Sequence, residues 1–334
     1  MKLIHDPLEI ENQLFNIQSE RKFLHVALSV FFFQIRNNPV YSEYCRLLGI
    51  DSSQVHHLHD IPFIPIEFFK QHQVISGEAE WEMLFVSSGT TGMQRSKHYI
   101  RRLDLYRKSF MNVFESFYGP TSGYCILALL PGYLEQQHSS LIFMVQELIR
   151  RSGHPDSGFY LYDYDSLARA LRSLDTQGQQ VILFGVSHAL LDMAEKYGFN
   201  LKNTIVMETG GMKGRRKEIT RGELHTKLKE GFGVETIHSE YGMAELLSQA
   251  YSRDSGKFHT PSWMKVLIRD VYDPFTSTET GQSGGINVID LANLYSCSFI
   301  ETRDIGRLNE DGSFEVLGRF DNSDIRGCNL MIME

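Results

Sequence analysis

The stretch Phe85-Val86-Ser87-Ser88-Gly89-Thr90-Thr91-Gly92 decides how the rest of the chain is read. Glu82 to Ser87 (EMLFVS) reads as a buried strand, and it opens into six residues that are all Ser, Gly or Thr. Glycines let a backbone approach a ligand closely and take positive φ, while hydroxyls and free N–H groups ring an anion. The GxxxxGK[ST] pattern of a Walker A loop is not met. A buried strand running into such a loop predicts an α/β fold with its ligand at the strand ends.

Outward from that loop, strand and helix patterns alternate. Cys125 to Leu130 (CILALL), Val181 to Val186 (VILFGV) and Thr204 to Glu208 read as buried strands, with a short one over Phe159 to Tyr162. Helical spacing covers Ser139 to Arg150, Ser166 to Leu174 and His188 to Tyr197, and Thr220 with Glu223 forms a capping box. Val234 to Ile237 leads through Glu240-Tyr241-Gly242-Met243-Ala244-Glu245 toward an expected helix. This alternation argues for a mixed or parallel sheet covered on both faces. Residues 1 to about 50 read as helices, and Pro62 and Pro65 mark an extended connector after them. Beyond about residue 256 the strands look antiparallel, with Glu310-Asp311-Gly312 as a hairpin turn. The expected organisation is a helical segment at 1–60, an α/β core at 61–255 and a β-rich part at 256–334.

Composition narrows the function. Of 334 residues 42% are hydrophobic and 22% charged, which is ordinary globular usage and excludes disorder or a disulfide scaffold. Thirty-three basic against 41 acidic residues leave a net charge of −8 without a basic run, so nucleic acid is a poor partner. Cys45, Cys125, Cys297 and Cys328 form no CxxC pair. That usage, together with the lack of an apolar signal core, predicts a cytoplasmic protein with no membrane span. His56, His57 and His59 lack acidic or Cys partners at ligand spacing and read as a polar loop.

Four motifs then fall in one order. SSGTTG resembles the phosphate loop of adenylate-forming enzymes, Tyr241 to Glu245 their YGxTE motif, Thr302-Arg303-Asp304 their TxD segment, and Gly318-Arg319-Phe320-Asp321 their GRxD hinge. Finer stretches such as IPFIPIEFFK, LFGVSHALLDMAE and SEYGMAELLSQAY are similar to the LuxE branch, the acyl-protein synthetases. The resemblance implies the large-domain fold of adenylate-forming enzymes, layered α/β sheets with a β-rich C-terminal part. It also implies ATP and Mg²⁺ as cofactors. Ser87, Ser88, Gly89, Thr90, Thr91 and Gly92 would then hold phosphates, Gly210 and Gly211 would approach adenine, and Tyr241 and Gly242 would pack on it. Glu245 would act in catalysis and hold the metal, Asp304 would take the ribose hydroxyls, and Arg319 would reach the ribose and α-phosphate. Ala244 departs from the family's usual Thr.

The resemblance also bears on the acceptor. Only 13 residues follow Asp321, so the small lid domain and its lysine are expected to be missing. Cys328, beside Arg326 and Gly327, matches the cysteine that carries the acyl group in the family. A thiolate is a good nucleophile toward a mixed anhydride. The implied activity is activation of a fatty acid, transfer to Cys328, and delivery to a LuxC-like acyl reductase. Two other readings stay open: a ligase that uses coenzyme A, or a non-catalytic nucleotide-binding subunit of a reductase complex. Further candidates are Lys97 or Arg95 for phosphates, His188, His238, Glu135 and His138 for the acid, and the basic run Lys213, Arg215, Arg216 and Lys217.

Overall fold

The structure is a computed structural model that describes residues 3–77, 80–88, 94–131, 138–210 and 219–320. It opens with three helices, α1 (Pro7–Leu14), α2 (Glu20–Asn37) and α3 (Pro39–Leu47). Asp6, Ser19 and Asn38 cap them, each side chain accepting a backbone N–H of the first turn. The short strand β1 (Ile64–Pro65) and one helical turn, α4 (Phe68–Gln71), follow.

A strand forms within 82–87 as β2 (Met83–Val86), but only Phe85 of its four residues is buried and it is not in the parallel sheet. It pairs antiparallel with β3 (Lys97–Ile100), and these two strands stand as a sheet of their own. The sequence stretch 82–87 could not show this, because a short apolar run has the same appearance in either kind of sheet.

Helix α5 (Leu103–Tyr118), which the sequence reading passed over, leads into the main sheet. Its members in chain order are β4 (Cys125–Leu129), α6 (Ser140–Ser152), β5 (Gly158–Phe159), α7 (Tyr164–Thr176), β6 (Val181–Val186), α8 (Ser187–Tyr197), β7 (Thr204–Thr209), α9 (Arg221–Phe232), β8 (His238–Tyr241) and β9 (Ala250–Ser252). The strand order is β5-β4-β6-β7-β8-β9. All neighbours are parallel except β9, which runs antiparallel to β8 at the edge. Every residue of β4 and β6 is buried, as expected of parallel strands covered on both faces. Thr220 and Glu223 make the predicted capping box of α9.

The helix expected after Glu245 is absent. The chain turns through 242–249 and continues as β9. The buried carboxylate of Asp290 explains this turn: it accepts the N–H groups of Leu247 (2.8 Å) and Ser248 (2.9 Å) and the Ser248 hydroxyl (2.6 Å).

The second sheet is built from β10 (Lys257–Phe258), β11 (Met264–Arg269), β12 (Ser283–Asp290), β13 (Phe299–Leu308) and β14 (Phe314–Arg319) in the order β10-β14-β13-β12-β11. These strands pair antiparallel, and β1 joins β13 in parallel. Reciprocal hydrogen bonds between Tyr251 and His259 stitch the edge of the first sheet to the start of the second. The N-terminal helices close over this sheet: Gln34 Nε2 donates to the carbonyls of Asn293 and Leu294, and Tyr41 stacks near Phe299 with 6.2 Å between centroids. Among the described residues no helix is long and apolar enough to cross a membrane.

Candidate functional site

Strands β6, β7 and β8 end on one side of the parallel sheet, the side where open α/β sheets gather ligands. β7 runs out at Thr209, and Gly210 then takes a φ of +67°, which costs a glycine little. Its carbonyl accepts the hydroxyl of Ser187, the first residue of α8, at 2.7 Å. Gly211 lies outside the described residues, as do Lys213, Arg215, Arg216 and Lys217.

Tyr241 ends β8. Its ring meets Phe314 edge-on at 5.4 Å and lies 5.8 Å from Phe258, so the second sheet braces it. Its hydroxyl donates to Asp304 Oδ2 at 2.8 Å. Asp304 and Arg319 face each other in register on β13 and β14, and Arg319 Nε stands 4.0 Å from Asp304 Oδ1. Burial pushes the Asp304 carboxyl above its usual range, against the Tyr241 hydrogen bond and the Arg319 charge. Two residues from separate motifs, Tyr241 and Arg319, therefore meet at the carboxylate of a third, Asp304. At Gly242 a Cβ would stand 2.4 Å from Glu240 Oε1, so a larger residue there would have to move the end of the Glu240 side chain.

Glu245 is buried, with 4% of its surface exposed. Burial raises its carboxyl, while a hydrogen bond from Ser96 and the charges of Arg319 and Lys70 oppose the shift. Its carbonyl accepts from Asn293 Nδ2 at 2.7 Å. On the side of the SSGTTG stretch, Ser87 follows β2 and Ser96 precedes β3. Ser87 Oγ accepts the Ser96 N–H at 3.0 Å, and the Ser87 N–H donates back to the Ser96 carbonyl at 3.1 Å. Ser88 is described, whereas Gly89, Thr90, Thr91 and Gly92 lie outside the described residues.

Two residues that the sequence reading passed over connect these parts. Ser96 lies near enough to Glu245 to oppose the rise of its carboxyl, and His98 Nδ1 donates to the Ala244 carbonyl at 2.8 Å. A carbonyl can only accept, so Nδ1 carries the proton. Burial lowers the His98 pKa to about 4, which keeps the ring neutral. Neither residue carries a motif signal, since their partners lie about 146 positions away.

The other candidates separate clearly. Lys97 and Arg95 are both exposed. His188 is buried at the start of α8, and His238 Nδ1 lies 3.1 Å from the Tyr118 hydroxyl. Burial, followed by the Arg253 charge, lowers the His238 pKa to about 4. His138 gives its carbonyl to the Val86 N–H at 2.8 Å, and Glu135 lies outside the described residues. Asp60 accepts the backbone N–H groups of His56 and His57, as suits a polar loop. No three His, Cys, Asp or Glu side chains gather as a metal-binding group among the described residues.

Two buried glutamates lie on opposite faces of the sheet. Glu208 on β7 meets Arg221 Nε at 3.5 Å and His225 Nε2 at 3.6 Å. Burial pushes it up, but His225, Arg221 and Ser239 together hold it below the usual range. Glu240 on β8 accepts from Thr209 Oγ1 at 2.5 Å, and burial pushes it up to about 7.

Cys45, Cys125 and Cys297 are free and buried. Burial raises their thiols, Cys45 to about 12, Cys125 to about 11 and Cys297 further still. Cys328 lies outside the described residues.

Comparison with known proteins bears on the family and the fold. The family model described as acyl-protein synthetase, LuxE, matches residues 3–334. Among solved structures, the ATP-bound RpMatB-BxBclM chimera B3 is 16% identical with a TM-score of 0.55, over 73% of this chain and 49% of that one. ATP-bound MatB from Rhodopseudomonas palustris is 16% identical with a TM-score of 0.54, over 71% and 47%. An open conformation of 2-hydroxyisobutyryl-CoA ligase in complex with 2-HIB-AMP and CoA is 13% identical with a TM-score of 0.67, over 91% and 70%. The chain thus spans about half the length of the MatB structures. At these identities the likeness is one of fold, and the fold is that of the large domain of adenylate-forming ligases. No curated protein matches the chain.

Proposed function

The chain belongs to the acyl-protein synthetase (LuxE) family, and from that premise we propose that it activates a carboxylic acid with ATP and transfers the acyl group to its own Cys328. In the first step an oxygen of the acid attacks the α-phosphorus. The bond to the β-phosphate breaks and pyrophosphate leaves. In the second step the Cys328 sulfur attacks the acyl carbon, the carbon–oxygen bond to AMP breaks, and a thioester remains. The thiol proton passes to solvent.

The observation that carries the first step is the meeting of Tyr241, Asp304 and Arg319 beside Glu245 and the arms of the phosphate loop. Tyr241 offers a braced flat ring, and Asp304 offers a carboxylate able to accept two ribose hydroxyls. Arg319 supplies positive charge for the α-phosphate, where catalysis is chiefly positioning and charge neutralisation. Mg²⁺ fits the residues present: it is commonly held by one or two carboxylates together with substrate phosphates, and Glu245 is a buried hard-oxygen ligand beside the loop. Bound there, the ion would neutralise phosphate charge. For the second step, three of the four thiols are buried and raised, hence poor nucleophiles at neutral pH.

The acid is proposed to be a fatty acid. Family membership is what supports an acyl substrate. An acyl reductase of the LuxC type is the proposed consumer of the thioester. Acid-dependent pyrophosphate exchange with ATP tests activation, and its absence would leave only a nucleotide-binding subunit. A hydroxylamine-labile acyl label on the protein, lost in Cys328→Ser, tests the acceptor. A label that persists in that variant, or acyl transfer only to added coenzyme A, removes Cys328 from the reaction.

A further inference from the structure

The sheet that flanks the SSGTTG stretch has two strands only. β2 and β3 pair only with each other, through four register pairs from Met83–Ile100 to Val86–Lys97. A two-stranded sheet has little stability of its own, so its placement depends on side chains that tie it to neighbours. The Leu103 N–H to Glu82 Oε2 at 2.8 Å holds its outer end, and the Val86 N–H to the His138 carbonyl holds β2 at the loop end. At the inner end β3 sends His98 across to the turn that follows β8.

His98 is 1% exposed, and its Nδ1 donates to the Ala244 carbonyl at 2.8 Å. Phe69 packs edge-on against the ring at 5.5 Å and fixes its plane. The far nitrogen, Nε2, is buried with no hydrogen-bond partner. A buried acceptor left without a donor is costly, so a residue chosen only to fill this space would not be a histidine. What the imidazole does here is reach Ala244 with one N–H. Ala244 precedes Glu245, and Ser96, which opposes the rise of the Glu245 carboxyl, stands two residues before His98 on the same arm.

We infer that His98 is a positioning residue that locks the β2–β3 hairpin to the Ala244–Glu245 backbone, setting the distance between the Ser87 and Ser96 arms of that hairpin and the Glu245 carboxylate. The inference rests on the ATP reading given above. It predicts that His98 governs affinity for ATP and leaves the acid alone. His98→Leu removes the donor, His98→Asn keeps an N–H near the Nδ1 position, and His98→Gln moves it toward Nε2.

Equilibrium binding of Mg·ATP to the full chain, by calorimetry, is the primary measurement. ATP-induced shifts in melting temperature provide a second readout. His98→Leu and His98→Gln are expected to bind at least tenfold more weakly than the wild type, with His98→Asn within about threefold of it. In pyrophosphate exchange the KM for ATP should rise in the same proportion while the KM for the acid stays put. Equal ATP affinity in His98→Leu and the wild type overturns the inference. If His98→Leu does not fold, the Asn and Gln variants decide, and equal affinities for those two overturn it. An equal rise in both KM values marks a merely structural role and also overturns it. A wild-type chain that binds no ATP defeats the underlying reading instead, a result distinct from all of these.

Discussion

Glu208 and Glu240 sit on adjacent parallel strands, one register step apart, and both are buried, yet they are held in opposite ways. Glu208 faces α9 and meets a guanidinium and an imidazole, which outweigh the cost of burial. Glu240 faces the other side, with Thr209 as its hydrogen-bond partner and the Glu208 charge nearby, and burial wins. Asp304 and Glu245 share the second condition: each is raised despite a hydrogen bond and nearby cations. The compensated carboxylate belongs to the packing of sheet against helix. The others gather at the strand ends, where perturbed groups mark a functional site.

That contrast can be broken experimentally, beginning with stability. Glu208→Ala leaves His225 and Arg221 without their partner, and chemical denaturation at neutral pH should show a loss of about 3 kcal/mol or more. ATP affinity of the remaining folded protein should not change. A variant as stable as the wild type would place Glu208 in the same class as Glu240.

Glu240→Gln sharpens the comparison through pH. The carboxyl is raised, so its contribution is fully present below pH 4.5 and is lost as pH rises toward about 7. Unfolding of wild type and variant across that window should diverge by about 3 kcal/mol in favour of the variant. Glu208 has the opposite sign, its contribution present above pH 4.5 and lost on acidification. Curves that stay parallel would mean that Glu240 is better compensated than its contacts indicate.

Glu245→Gln tests the strand-end group as working residues. Pyrophosphate exchange should fall about a hundredfold with no loss of melting temperature, because a neutral amide is easier to bury than a carboxylate. The smallest effect is expected from Tyr241→Phe. Losing one hydrogen bond to Asp304 should raise the KM for ATP roughly five- to tenfold, about 1 kcal/mol. An unchanged KM would separate Asp304 from nucleotide binding.

Much of this layout was legible in the chain. Runs such as VILFGV show their burial in composition alone, and the Thr220–Glu223 capping box is a local pattern that held. Tyr241, Asp304 and Arg319 could be selected by motif, and the structure joins them through one carboxylate. The sequence misled where local pattern meets a distant partner. The stretch after Glu245 looked helical, but Asp290, more than forty positions away, takes its N–H groups. The 82–87 strand looked like a member of the main sheet and instead pairs with 97–100.

By itself, then, the sequence determined which residues are candidates for chemistry, because hydroxyl-rich loops, carboxylates and glycines keep their properties wherever they are placed. Tertiary structure alone decided how those residues are charged and held. Whether a buried glutamate is lowered like Glu208 or raised like Glu240 depends on which helix or strand lies across from it. The same holds for His98: nothing in Lys97-His98-Tyr99 announces a tie to Ala244, and only the packing of the hairpin against the end of β8 creates it. Hydrogen bonds act over about 3 Å, and that distance is set by the fold rather than by position along the chain.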